Sequence, residues 1–128
     1  MTDRDKYETQ VKKAASRVKK DMKALNTYRN QFDAAIRTYA EMTVQLNILT
    51  QRWVEEGCPI VETYINKTGA ETTRKSTLYA AIESVRRDIR SREDALGLTP
   101  YGIKKINDEM KKKENHEGLG ALLDGIDK

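Results

Sequence analysis

Three groups of cations are the residues whose type and spacing can do chemistry. Lys12, Lys13, Arg17, Lys19, Lys20 and Lys23 crowd one stretch near the start of the chain. Arg86, Arg87 and Arg90 crowd a second, and Lys104 and Lys105 make a third. Ammonium and guanidinium groups at this density suit phosphates along a nucleic-acid backbone, where each neutralised phosphate releases counterions. A solvated helix face explains any one cluster alone. Three clusters on helices favour double-stranded DNA as partner, and the scarcity of aromatic residues beside them disfavours stacking on single strands.

Other chemistries find little support. His116 is the only histidine and Cys58 the only cysteine, far apart in sequence, so no nucleophile–base pair or His-based metal site is readable. Gly69-Ala-Glu-Thr-Thr-Arg74-Lys75-Ser76 resembles a phosphate-binding loop up to its second glycine, but Arg74 stands there and would obstruct close approach of the backbone to phosphate. Glu55, Glu56 and Glu62 have no spacing that requires a cation. The expectation is therefore no catalytic residues, no metal and no cofactor.

The 128 residues carry 34% charged and 38% apolar side chains with two prolines, a mix that favours long helices with solvated faces. The net charge of +4 is unevenly distributed. Residues 1–29 hold nine bases and four acids (+5), residues 30–65 two and five (−3), residues 66–116 twelve and eight (+4), and the last twelve residues one and three (−2). No apolar run approaches the roughly 20 residues of a membrane span, the start is charged rather than signal-like, and a lone cysteine gives no disulfide. These features point to an intracellular protein with no membrane partner.

The expected fold class is all-α: a long antiparallel helical hairpin, a basic N-terminal helix, a short C-terminal helix and room for a small β-hairpin in the central loop. Tyr7, Val11, Ala14, Val18, Met22 and Leu25 recur at spacings of three or four, giving an amphipathic helix within residues 1–26. Tyr28, Phe32, Ala35, Tyr39, Met42, Leu46, Leu49 and Trp53 then form a seam of alternating fours and threes. Ile36, Ala40, Val44 and Ile48 make a second apolar face. A helix with two such faces needs two partners, one from its own chain and one from a neighbouring copy. Phe32, Ile36, Tyr39, Val44, Leu46 and Trp53 are accordingly expected at an oligomer interface.

Gly57 and Pro59 end that helix, and IVETYI with NKTGAETT reads as either a hairpin or an ordered loop. Ser76 opens a third helix with Leu78, Ile82, Val85 and Ile89 on one face. Residues 27–98 thus form an oligomerisation hairpin, and residues 99–114 a final helix completing a single domain, 1–114. Gly118, Gly120 and Gly125 predict a flexible tail over 115–128, where Leu119, Leu122, Leu123 and Ile126 beside Asp124 and Asp127 can dock into a partner's groove.

The stretch LGLTPYGIKK joins the last two helices. Gly97 suits the left-handed end of a helix, Thr99 an N-cap and Pro100 the first helical position. The result is a tight helix–corner–helix, the geometry also of a DNA-reading helix-turn-helix, although most such corners are structural.

That corner resembles the signature of one branch of the phage terminase small subunits, Leu-Gly-Leu-Thr-Pro followed by a basic helix. Lys105 and Ile106 match the end of its run, whereas Tyr101 and Ile103 depart from it. Phe32-Asp33-Ala34-Ala35-Ile36 with Tyr39 is similar to the family's central helix. Tyr64, Asn66, Gly69 and the restart at Ser76–Leu78 are similar to its middle loop, with Thr77 where a proline is common. The resemblance spans about residues 20–107. It implies a non-enzymatic subunit that forms a homo-oligomeric ring, binds viral double-stranded DNA and delivers it to the large terminase subunit in the host bacterial cytoplasm. The competing expectation is a dimeric helical DNA-binding regulator or interaction scaffold with no packaging role.

Overall fold

The computed structural model describes residues 2–126, with side chains through residue 115. Along the chain run α1 (Asp3–Ala24), a 3-10 turn (Asn30–Phe32), α2 (Asp33–Glu55), β1 (Val61–Ile65), β2 (Glu71–Lys75), α3 (Thr77–Ala95) and α4 (Pro100–Ile126). The fold is mostly helical, as expected. The central loop resolves into a hairpin, β1 antiparallel to β2 with Val61 opposite Lys75 and Ile65 opposite Glu71. Its turn is held by Asn66, whose Oδ1 accepts from the Thr68 and Ala70 amides, while Gly69 takes φ +84°.

Helix starts and stops follow local chemistry. At the head of α1, the Asp5 amide donates to Thr2 Oγ1 and the Thr2 amide to Asp5 Oδ2, a reciprocal cap. The Thr2 amide, and after it the Thr2 hydroxyl, donate to the Asp5 carboxyl and hold it below its usual range. At the other ends, α1, α2 and α3 close alike. The amides of Thr27, Cys58 and Leu98 reach back to the carbonyls of Met22, Trp53 and Glu93, each at 2.9 Å. The residues just before them, Asn26, Gly57 and Gly97, are left-handed, with φ +58°, +89° and +69°.

α2 is the middle helix. Tyr7 meets Gln45 (3.1 Å) and Glu8 meets Arg37 (2.9 Å), so α1 runs antiparallel along one side. Trp53 against Tyr79 (5.9 Å between ring centroids) marks one end of the α2–α3 contact, and Tyr39 near Glu93 lies further along it. Val11, Ala40 and Val44 form one buried cluster; Val18, Met22, Ile36 and Leu96 form another, flanked by Phe32, Ala35, Tyr39 and Leu98.

Three expectations change. First, Ile36 and Val44, expected at an oligomer interface, pack with Ala40 under α1 of the same chain. Periodicity reveals that a face is apolar but not which element covers it, and here α1 covers it. What α2 leaves open is Ile48 and Val54, 48% and 57% exposed. Second, α2 begins at Asp33 and Tyr28 lies before it. Third, the last helix does not stop at 114: the backbone stays helical to Ile126. Glycine lowers helix propensity by about 1 kcal/mol per residue without forbidding helical φ and ψ. The side chains of Leu119, Leu122, Leu123 and Ile126 fall outside those described.

Candidate nucleic-acid interface

The helix corner positions one cation pair and begins at Gly97. The Thr99 hydroxyl accepts from the Gly102 amide (3.0 Å) and also bonds Asp94, so the cap of α4 is tied to the last turn of α3. A Cβ on Gly102 would stand 2.1 Å from the Asp94 carbonyl oxygen, so here α4 crosses α3 backbone to backbone. A Cβ on Gly97 would press on Ile106 and on the fully buried Thr27, at 2.8 and 2.9 Å. From this corner α4 carries Lys104 and Lys105 on exposed surface, beside Tyr101 and Asp108. Arg29 ties the connector after α1 to α4 by donating to Met110 Sδ (3.0 Å).

On α1 the cations divide. Lys19 and Lys23 sit 5.1 and 5.2 Å from the Tyr28 ring centroid. Lys19 is also 3.9 Å from Asp33, and the neighbouring Tyr28 hydroxyl, more than that carboxylate, raises its pKa. Tyr28 in turn donates to Asp33 Oδ1 (2.8 Å). These two lysines are held against their own subunit. Lys12, Lys13, Arg17 and Lys20 are exposed and make no ion pair among the described residues. Nor do Arg86, Arg87, Arg90, Lys104 or Lys105.

Five glutamates hold other cations. Glu8 and Glu41 both hold Arg37, whose pKa they raise, while Arg37 keeps the Glu8 carboxyl below its usual range. Glu56, Glu62 and Glu83 hold Arg52, Arg74 and Lys75. Neutralisation is thus concentrated on α2 and the hairpin, and positive charge stays available on α1, α3 and α4.

Between α1 and the α3–α4 corner, an open groove of about 1060 Å³ runs over α2. Val18, Val44 and Leu98 contribute apolar lining, and Lys13 and Arg17 stand on the α1 side. Asp21 and Glu93 also line it, so it is not uniformly cationic. Burial pushes the Tyr39 hydroxyl up to about 12, with the Glu93 carboxylate adding to the shift. Helical spacing puts Arg86 and Arg90 on the same face of α3 as Glu93, seven and three residues before it.

The basic clusters therefore lie on three helices, with α2 between α1 and α3. Of the residues expected at an oligomer interface, Ile36 and Val44 are buried against α1, while Phe32, Tyr39, Leu46 and Trp53 are half-buried. The Gly69–Ser76 stretch is a turn and β2, leading into α3 through Ser76, whose hydroxyl accepts from the Tyr79 amide (3.3 Å). It is not a phosphate loop opening directly into a helix. Sequence reasoning missed the restraint of Lys19 and Lys23 by Tyr28, for which the proximity of an aromatic residue to a lysine run was the available signal. It also missed Gly102.

No curated protein and no solved structure matches this chain. A family model described as phage terminase, small subunit, matches residues 11–113, from within α1 to within α4 and across both the corner and the unpaired cations. That match covers most of the sequence, and the chain belongs to the phage terminase small-subunit family.

Proposed function

We propose that this chain is the non-catalytic DNA-binding subunit of a phage packaging machine. It binds viral double-stranded DNA as a homo-oligomeric ring and hands it to the large terminase subunit in the host cytoplasm. Family membership supports a role in phage DNA packaging. The observation that carries DNA binding is the set of exposed, unpaired cations on α1: Lys12, Lys13, Arg17 and Lys20. A ring repeats that set around its circumference, turning a modest charge per subunit into an extended phosphate-binding surface. Arg86, Arg87 and Arg90 with Lys104 and Lys105 form a second surface for the same polymer. Because α1 covers Ile36 and Val44, contacts between neighbouring copies draw on the apolar residues left open, Leu25, Ile48 and Val54 among them.

The test is duplex binding by fluorescence anisotropy across a salt series. Replacing Lys12, Lys13 and Lys20 together by Ala weakens binding on every sequence. It also reduces the log–log salt slope by about three, near one unit for each phosphate no longer neutralised. Unchanged binding in this variant, with loss on changing Arg86, Arg87 and Arg90, would move the interface to α3. Light scattering checks assembly separately: a monomer at micromolar concentration would remove the ring.

A further inference from the structure

The hairpin has two edges, and they differ. The Asn66 amide donates to the Ala70 carbonyl (3.0 Å) and the Ser76 amide to the Ile60 carbonyl (2.8 Å). Antiparallel ladders alternate, so the even-numbered residues of β1 point their main-chain groups at β2. Val61, Thr63 and Ile65 point theirs away from it. Their side chains share one face, and Val61 and Ile65 are 64% and 75% exposed, with the neighbouring Ile60 at 55%. Proteins usually guard such an edge with lysine, proline or a bulge. On β2 the outward positions are Glu71, Thr73 and Lys75, two of them charged. On β1 they are all β-branched and uncharged.

We propose that the β1 edge is a contact between copies of this chain, pairing antiparallel with β1 of a second copy about a two-fold axis at Thr63. The pairing is self-complementary: Val61 faces Ile65 of the second copy, Thr63 faces Thr63, and Glu62 faces Tyr64. Aliphatic and Thr–Thr cross-strand pairs are favourable, and no like charges meet. The other hairpin face has contacts of its own, with Arg74 bonded to Glu62 (2.8 Å) and stacked 4.4 Å from the Tyr64 ring centroid. A two-stranded sheet alone is marginal in water, and joining two hairpins gives four strands, more than the roughly three that an independent sheet needs. The proposal does not depend on the ring. A two-fold contact closes on itself, so it joins chains in pairs or one ring to another.

The test places a single cysteine on each edge in turn, in a Cys58→Ser full-length background. Thr63→Cys brings two cysteines opposite each other at about 5.5 Å between Cα atoms, within disulfide reach. Mild oxidation is expected to give a covalent dimer from Thr63→Cys at least tenfold faster than from Thr73→Cys on the β2 edge. Thr63→Pro, which removes only an outward amide, is expected to abolish the two-fold pairing by sedimentation while keeping wild-type helical circular dichroism. Equal rates at the two edges, or unchanged mass in Thr63→Pro, would overturn the proposal. So would a mixed disulfide forming preferentially between Thr63→Cys and Thr73→Cys proteins, which marks head-to-tail β1–β2 pairing.

Discussion

The two ends of the α2 rod use the same kinds of residue for opposite purposes. At the corner end, the close of α1, the start of α2, the close of α3 and the head of α4 converge on Met22, Thr27, Ile36 and Leu96, each no more than 3% exposed. At the hairpin end, Val54, Ile60, Val61 and Ile65 are all more than half exposed. The corner satisfies its apolar surface within one chain, and the hairpin leaves its own for something else to cover. For the proposed DNA-binding assembly, the first supplies a fixed frame to aim cations and the second an unfinished surface to meet neighbouring copies.

Truncation breaks this comparison most directly. Met22 is fully buried where α1 closes, and Met22→Ala should cost about 4 kcal/mol in denaturant unfolding, transfer and cavity contributions together. Val54→Ala at the other end should fall within about 0.5 kcal/mol, as exposed substitutions do. Equal losses would mean that the hairpin end is as well packed as the corner.

Glycine replacements sharpen the contrast. Gly102→Ala drives a methyl into the Asp94 carbonyl and forces α4 off α3, with an expected loss of about 3 kcal/mol. Gly69→Ala, in the hairpin turn, meets open space and suffers only its left-handed φ, about 1 kcal/mol. Equilibrium unfolding of the two variants against wild type checks the ranking. A Gly102→Ala protein as stable as Gly69→Ala would show that the helix crossing is looser than the structure has it.

How much of each end was legible follows from the range of the forces involved. Gly97, Thr99 and Pro100 could be assigned their parts because a cap is settled by residues within one turn of it. Gly102 and Thr27 could not, since their constraint comes from backbone brought close only by the fold. The two apolar faces of α2 were visible as spacing, but not that α1 would cover Ile36, Ala40 and Val44. The unpaired state of Lys12, Lys13, Arg17 and Lys20 was equally out of sight. It depends on which acids Arg37, Arg74 and Lys75 capture across the fold.

The smallest effect concerns the Lys75–Glu83 ion pair at 2.9 Å, which fastens the end of β2 to α3. Its hydrogen bond to Lys75 is the main reason the Glu83 carboxyl lies below its ordinary value of 4.5. A carboxyl depressed in the folded state stabilises fully above its unfolded pKa, and that contribution fades as pH falls through the folded one. Acid should therefore loosen the hairpin before it disturbs the corner, where Met22 and Leu96 carry no charge. Amide exchange, corrected for its intrinsic pH dependence, should rise in β2 as pH drops below the ordinary glutamate range, while amides around Met22 stay protected. Lys75→Met should move the Glu83 titration back toward its ordinary value and remove most of the pH dependence in β2. Both ends loosening together would mean that the two regions unfold as one unit, and the division between a finished frame and an unfinished surface would fail.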